Sequence, residues 1–439
     1  PYRQDDGSPS FRGVQQVTNQ HADRRELLLR APTGSGKTDS ALLWAQAQID
    51  DARADRCVIA MPTRFTSTAL ATGAAENVGQ TGLYHSSAWH SYYAGSASDD
   101  DRITSEEKEE QARAEELHRM ARLLMTPLTV CTVDHLLIAL TGMREDHHAV
   151  FFNLTNACVV FDEADFYDPF VQANLKVLLQ VLRHFEVPVL IMSATVPDAA
   201  KNLYAISEMA EDTSDLDRVR CTIRDAGEAN EPADVNHLMQ QVADAPAAIV
   251  YANTVKRALQ YYDALCASGR DPILYHSRFT EPDKKAIETR LVDALGSQSW
   301  TEERAGGIAI LTQIGEMSLN VSAPLMVSEL CPWDRLAQRA GRLSRFEGMA
   351  PGTLHVITPT KDDELYPAPY GEYDTADYAW KPGAPLLKTR DTLEEKDYTA
   401  RDFIERVDAL YPDVDAFSPT SPRIERNRKT LQTYLTENW

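Results

Sequence analysis

The segment Ala31-Pro-Thr-Gly-Ser-Gly-Lys-Thr38 leaves a chain few ways to fold around it. The apolar run Leu27, Leu28, Leu29 precedes it, and Ser40-Ala-Leu-Leu-Trp-Ala45 follows, so it reads as the turn from a buried strand into a helix. Small residues at Gly34, Ser35 and Gly36 let backbone N–H groups turn inward around an anion. The start of the next helix adds positive dipole character. Lys37 can then reach the β- and γ-phosphates of a nucleotide, and the Thr38 hydroxyl can take a Mg²⁺ position. Thr33 completes this nucleotide-binding set.

At 439 residues the chain has room for two or three domains. No long apolar stretch reads as a membrane span and no signal peptide is visible, so a cytoplasmic location with no membrane partner is expected. The six cysteines are dispersed with no Cys-x-x-Cys pair, which argues against a zinc ribbon or a disulfide framework. A net charge of −22 is unusual for a chain that touches nucleic acid, so any basic path must be local.

Short apolar runs at 26–30, 56–60, 128–131, 157–161 and 188–192 alternate with helical patterns, as buried parallel strands do in a doubly wound α/β sheet. A second set at 247–251, 272–275, 307–311, 325–328 and 353–357 predicts a second α/β unit. The expected domains are 1–212, 213–360 and a smaller accessory segment at 361–439, rich in Tyr, Pro and charge. The acidic stretch 98–117 reads as a solvated loop leading into an exposed helix.

Three further motifs carry chemistry. Val159-Val-Phe-Asp-Glu-Ala-Asp165 is a strand ending in carboxylates, with Asp162 suited to Mg²⁺ and Glu163 to the attacking water. After the next strand, Ser193-Ala-Thr195 offers small hydroxyls that can bond to the acid cluster and sense its state. Gln338-Arg-Ala-Gly-Arg-Leu-Ser-Arg345 places Arg342 and Arg345 three residues apart, on one face if the segment is helical. They are arginine-finger candidates.

This ordered set closely resembles superfamily 2 helicases and translocases. Softer stretches resemble the helicase part of the type I CRISPR helicase-nuclease family: Met61-Pro-Thr-Arg-Phe-Thr-Ser-Thr-Ala69, Thr129-Val-Cys-Thr-Val-Asp-His-Leu-Leu137, Leu274-Tyr-His-Ser-Arg-Phe279 and Thr312-Gln-Ile-Gly-Glu-Met-Ser-Leu319. The resemblance implies two tandem RecA-like doubly wound parallel-sheet domains, an ATP and Mg²⁺ site, and single-stranded DNA as partner. It implies Glu163, Asp162, Arg342, Arg345 and Gln338 as catalytic and Ser193, Thr195, Gln313 and Gly315 as coupling residues. Thr63, Arg64, Thr132, Asn253, Ser277 and Arg278 would line the strand path, and Gln15 or Gln16 would read adenine. The other partners implied are a Cascade-like CRISPR surveillance complex and a nuclease.

Two departures stand out. Asn320 occupies a position where the family usually has an acid, which bears on coupling strength. None of the 11 histidines is followed by aspartate, so the His-Asp pair of the family's nuclease is missing. His147-His148, after Glu145-Asp146, reads as a polar loop and not a metal site. The expectation is a motor whose nuclease resides on another chain, as in split subtypes such as a type I-D-like system. A DEAD-box-type RNA helicase, suggested by the literal Asp162-Glu-Ala-Asp165, and a non-motor ATP-binding scaffold are the alternatives.

Overall fold

The computed structural model describes residues 11–32, 34–93, 105–317, 319–346, 348–375 and 378–439. Thr33 and the acidic run 98–102 lie outside the described residues.

The chain divides into two compact units, one made of Pro1–Ser214 and Tyr411–Trp439, the other of Asp215–Leu410. Each is built on a parallel sheet.

In the first unit the strands are β1 (Glu26–Arg30), β2 (Arg56–Met61), β3 (Thr81–Tyr84), β4 (Leu128–Thr132), β5 (Ala157–Phe161), β6 (Val189–Ser193) and β7 (Met209–Glu211). Their order is β3-β4-β2-β5-β6-β1-β7, with every pairing parallel. β5 and β6 are buried along their whole length and β2 from Cys57 onward, which is why they read as unbroken apolar runs. Two buried clusters cover the sheet, one around Phe161, Leu178 and Ile191, the other around Leu27, Trp44 and Ile59. β3 and β7 escape the apolar-run reading because they are short and of mixed composition.

The second unit contains β8 (Val219–Ala229), β9 (Ala247–Tyr251), β10 (Ile273–Tyr275), β11 (Gly307–Leu311), β12 (Leu325–Glu329) and β13 (Gly352–Lys361). To these it adds β14 (Glu364–Leu365), β15 (Gly371–Asp374), β16 (Ala379–Pro382) and β17 (Asp397–Thr399). The main order is β10-β11-β9-β12-β13-β8-β17, parallel except for the antiparallel β17 at the edge. β14 pairs with β13, and β15–β16 form a separate hairpin.

The segment 361–439, expected as one accessory element, is shared between the units. Residues up to Leu410 belong to the second, where β17 and the helix Ala400–Leu410 complete its edge. From Tyr411 onward the chain returns to the first, where Phe417 and Leu431 enter the core. Asn427 donates to Asn174 at 2.8 Å, and the Trp439 indole donates to the Leu140 carbonyl at 2.9 Å. His147 and His148, expected in a polar loop, lie on the helix Glu145–Leu154. His147 is buried there, and the His148 ring sits 4.5 Å from that of Trp439. Among the described residues no group of three or more His, Cys, Asp or Glu could hold a metal ion.

Candidate nucleotide site and its coupling residues

The phosphate loop joins β1 to the helix Lys37–Asp50. Gly34 (φ 84°) and Gly36 (φ 98°) both take left-handed backbone conformations, which any side chain would strain. Lys37 is buried and its Nζ donates back to the Ala31 carbonyl at 3.4 Å. Ser35 Oγ is buried without a hydrogen-bond partner among the described residues, as expected of a cradle shaped for an anion. The structure separates the two candidate glutamines. Gln16 is exposed and bonded to the Phe11 carbonyl, whereas Gln15 is buried, with its amide nitrogen 3.5 Å from where a Cβ on Gly36 would lie.

Asp162 and Glu163 follow β5 directly. Asp162 is buried and accepts the Glu163 N–H at 2.8 Å. Burial, with the Glu163 charge beside it, pushes its carboxyl up to about 7, while the Lys37 ammonium pulls in the other direction. Glu163 has φ 50°, a costly conformation for a residue with a side chain, and its Oε2 is buried with no partner among the described residues. A strained acid whose buried oxygen has no partner among the described residues, next to a carboxyl whose charge burial disfavours, suits a cationic ligand and a water molecule.

The last acid of this motif has a different job. The Asp165 carboxylate accepts hydrogen bonds from both Ser193 Oγ and Thr195 Oγ1, one to each oxygen. Thr195 N also donates to Ser193 Oγ at 3.2 Å. The acid motif after β5 and the hydroxyl motif after β6 are therefore joined in one buried network.

In the second unit the helix Trp333–Ala340 ends before Arg342. Arg342 and Arg345 thus do not share a helical face. Gly341 closes the helix, Ser344 turns at φ 43°, and Leu343 forms an isolated bridge with Ala323. Arg342 is buried, donates from Nη1 to the Gln338 carbonyl at 2.9 Å, and keeps a buried Nε with no partner among the described residues. Gln338 is buried, and the Arg345 backbone N–H donates to Ser322 Oγ at 2.9 Å.

Arg339, the first arginine of the motif, is the residue that the sequence pattern did not single out. It is wholly buried and donates to Glu316 Oε1 (2.7 Å), Ser328 Oγ (2.8 Å), the Glu329 carbonyl (3.0 Å), Asn253 Oδ1 (3.1 Å) and the Tyr370 hydroxyl (2.8 Å). The Tyr251 ring lies 5.0 Å from its guanidinium. Around this hub, Gln313 donates to the Asn253 carbonyl at 2.6 Å, and Gly315 accepts from the Tyr251 hydroxyl at 2.8 Å.

The six strand-path candidates differ in accessibility. Arg64, Ser277 and Arg278 are exposed, and Thr63 caps the helix Arg64–Asn77 through Thr66 N at 3.2 Å. Ser277 and Arg278 stand on a turn held by His276 stacked on Phe279, with ring centroids 4.2 Å apart. Thr132 is buried at the start of the helix Val133–Ala139. Asn253 is buried as well, and its amide is committed to Arg339 and the Leu330 carbonyl, so it braces the hub instead of facing a ligand. Asn320 is exposed.

Residues 12–203 match the DEAD/DEAH box helicase family, and residues 244–348 match the C-terminal region of the CRISPR-associated nuclease/helicase Cas3. A relative from Methanocaldococcus jannaschii, provisionally named CRISPR-associated nuclease/helicase Cas3, is 29% identical over 73% of this chain and 44% of its own length. The crystal structure of T. fusca Cas3-AMPPNP is similar with a TM-score of 0.74 at 23% identity, over 97% of this chain and 55% of that one. A structure titled as a CRISPR RNA-guided surveillance complex, pre-nicking, is similar with a TM-score of 0.65 at 21% identity, over 96% and 53%. The chain thus spans about half the length of each of these three proteins. Two RecA-like parallel-sheet domains carry these matches, and the chain is similar to superfamily 2 helicases and to the helicase part of the Cas3 family.

Proposed function

We propose that the chain is an ATP-dependent translocase or helicase for single-stranded DNA, acting in CRISPR interference. It would open target DNA for a nuclease supplied from outside the residues described here. The observation that carries the hydrolytic part is Glu163, held at a strained backbone position with a buried carboxylate oxygen that no described residue uses. Such a group can orient and deprotonate a water molecule for attack on a phosphate.

In this reading the loop N–H groups and Lys37 bind the phosphates, and Gln15 reads the base. Thr38 and Asp162 would hold Mg²⁺, which when bound neutralises phosphate charge. Arg342 and Arg345 would supply positive charge during turnover, with Gln338 beside them. The Asp165–Ser193–Thr195 network would carry the state of the acid cluster to β6, while Gln313 and Gly315 do the same for the second unit.

Exposed Arg64, Ser277 and Arg278, with Thr63, would contact the strand through its phosphates, tolerant of sequence. The similarity to a pre-nicking surveillance complex supports recruitment by a CRISPR complex. Delivery by a partner also accommodates a net charge of −22, because affinity for free DNA need not be high.

The test is ATP turnover with single-stranded DNA or RNA of equal length, using Glu163→Gln as the inactive control. Stimulation by DNA is expected. Stimulation by RNA alone would favour a DEAD-box-type RNA helicase, the reading that the literal Asp162-Glu-Ala-Asp165 suggests. No stimulated turnover at all would leave an ATP-binding scaffold.

A further inference from the structure

Tyr370 enters the Arg339 hub from the accessory segment, outside every motif discussed above. Its hydroxyl accepts from Arg339 Nη2 at 2.8 Å and donates to Glu316 Oε1 at 3.1 Å. One oxygen atom thus completes both halves of a buried ion pair. Its ring also lies 5.9 Å from the Arg339 guanidinium, which the Tyr251 ring approaches at 5.0 Å.

The two groups it joins belong to the segments expected to couple and to catalyse. Glu316 ends the short turn Gln313–Glu316, which carries Gln313 and Gly315. Arg339 precedes Arg342 by three residues, and the Arg342 backbone N–H donates to the Arg339 carbonyl at 2.9 Å. Movement of the turn must therefore pull on the Arg339 side chain, and through it on the backbone that places Arg342. Tyr370 is also the residue just before the β15–β16 hairpin, which exposes Tyr373 and Tyr378. The hub is thereby tied to a surface arm that no helicase motif includes.

We propose that Tyr370 is a positioning residue that transmits strand binding to ATP turnover by holding Arg339 and Glu316 in one geometry. It rests on the DNA-motor reading. The hydroxyl acts through its two partners and touches neither nucleotide nor strand. A phenylalanine would fill the same space but leave the guanidinium and the carboxylate free to shift relative to each other.

The experiment compares the parent chain with Tyr370→Phe at a temperature where circular dichroism shows both folded. ATP turnover is measured with and without oligo-dT. The variant should keep unstimulated turnover and the KM for ATP within about twofold, while stimulated kcat falls about five- to tenfold. Tyr373→Phe, on the exposed arm, should behave as the parent. Equal stimulation of Tyr370→Phe and parent overturns the inference and leaves the motor reading intact. An equal loss of stimulated and unstimulated turnover also overturns it, because the hydroxyl would then support turnover itself and not its coupling to the strand. A parent protein that DNA does not stimulate removes the motor reading, and the inference falls with it.

Discussion

Arg339 and Glu316 form a closed ion pair, 2.7 Å apart, with side chains that are 0% and 2% exposed. In such a place a charge is tolerable only while its partner remains. Arg339→Ala would strand the Glu316 carboxylate and remove five hydrogen bonds at once. We expect the second unit to lose about 3–5 kcal/mol, read from denaturant midpoints, with Glu316→Gln milder. A loss under about 1 kcal/mol would mean that water enters the site.

Lys37→Ala tests the phosphate loop independently of catalysis. In the parent, nucleotide at a hundred times its Kd should raise unfolding free energy by about 2.7 kcal/mol. In the variant that ligand-dependent rise should vanish while stability without nucleotide changes little, because Lys37 donates only one long bond to Ala31. Thermal shift with and without Mg²⁺–ATP checks both halves.

The Asp165 network makes a distinct forecast. A Ser193→Ala, Thr195→Ala double variant leaves that buried carboxylate without its two hydroxyl donors, at about 1–3 kcal/mol for each lost donor. Strand separation should fall more than ATP turnover does. Parallel losses in the two assays would show that the hydroxyls serve the chemistry and not its transmission.

Glu288 gives a pH signature. Burial pushes its carboxyl up to about 7, the neighbouring Glu281 adds to that, and the Tyr275 hydrogen bond and Lys284 oppose it. The folded protein therefore holds a proton that the unfolded chain releases near its ordinary value of 4.5. The stabilisation is complete below that pH and is lost as pH rises through about 7. Glu288→Gln should flatten the decline in stability between those limits, by about 1–2 kcal/mol after allowing for partial exposure. An unchanged slope would place the titration elsewhere.

Much of this arrangement is written in local pattern. The phosphate loop, Asp162-Glu163 and Ser193-Ala-Thr195 each sit at the end of a buried apolar run, and such runs are visible without coordinates. Arg339 is the contrary case. It is one of three arginines in eight residues, alike in type and spacing, and only Ser328, Glu316 and Tyr370, brought from distant segments, tell it apart from Arg342. Asn253 misled for the same reason, since an amide after a strand looks equally suited to a ligand or to a buried arginine. The division of 361–439 was hidden because neither charge nor hydropathy changes visibly at 410–411.

The final helix supplies another check. Leu431 is buried in the core of the first unit, so Leu431→Ala should cost about 2–3 kcal/mol there, and deletion of 411–439 should cost more. The second unit should keep its own unfolding transition in both cases. Two-probe unfolding, following nucleotide-dependent stabilisation and total ellipticity, separates the units.

That helix also sets a timetable. A ribosome delivers residues 1–214 first, but the partners that finish this unit's core, Phe417 and Leu431, come after the whole of 215–410. At ordinary synthesis rates the incomplete unit waits roughly 10–45 s for them. Through that interval the faces that will receive Phe417 and Leu431 stand bare, and by its end the later-made unit has every residue it needs. The half of the protein that is made first is therefore completed last, and the nascent chain is most in need of a chaperone at its nucleotide-binding end.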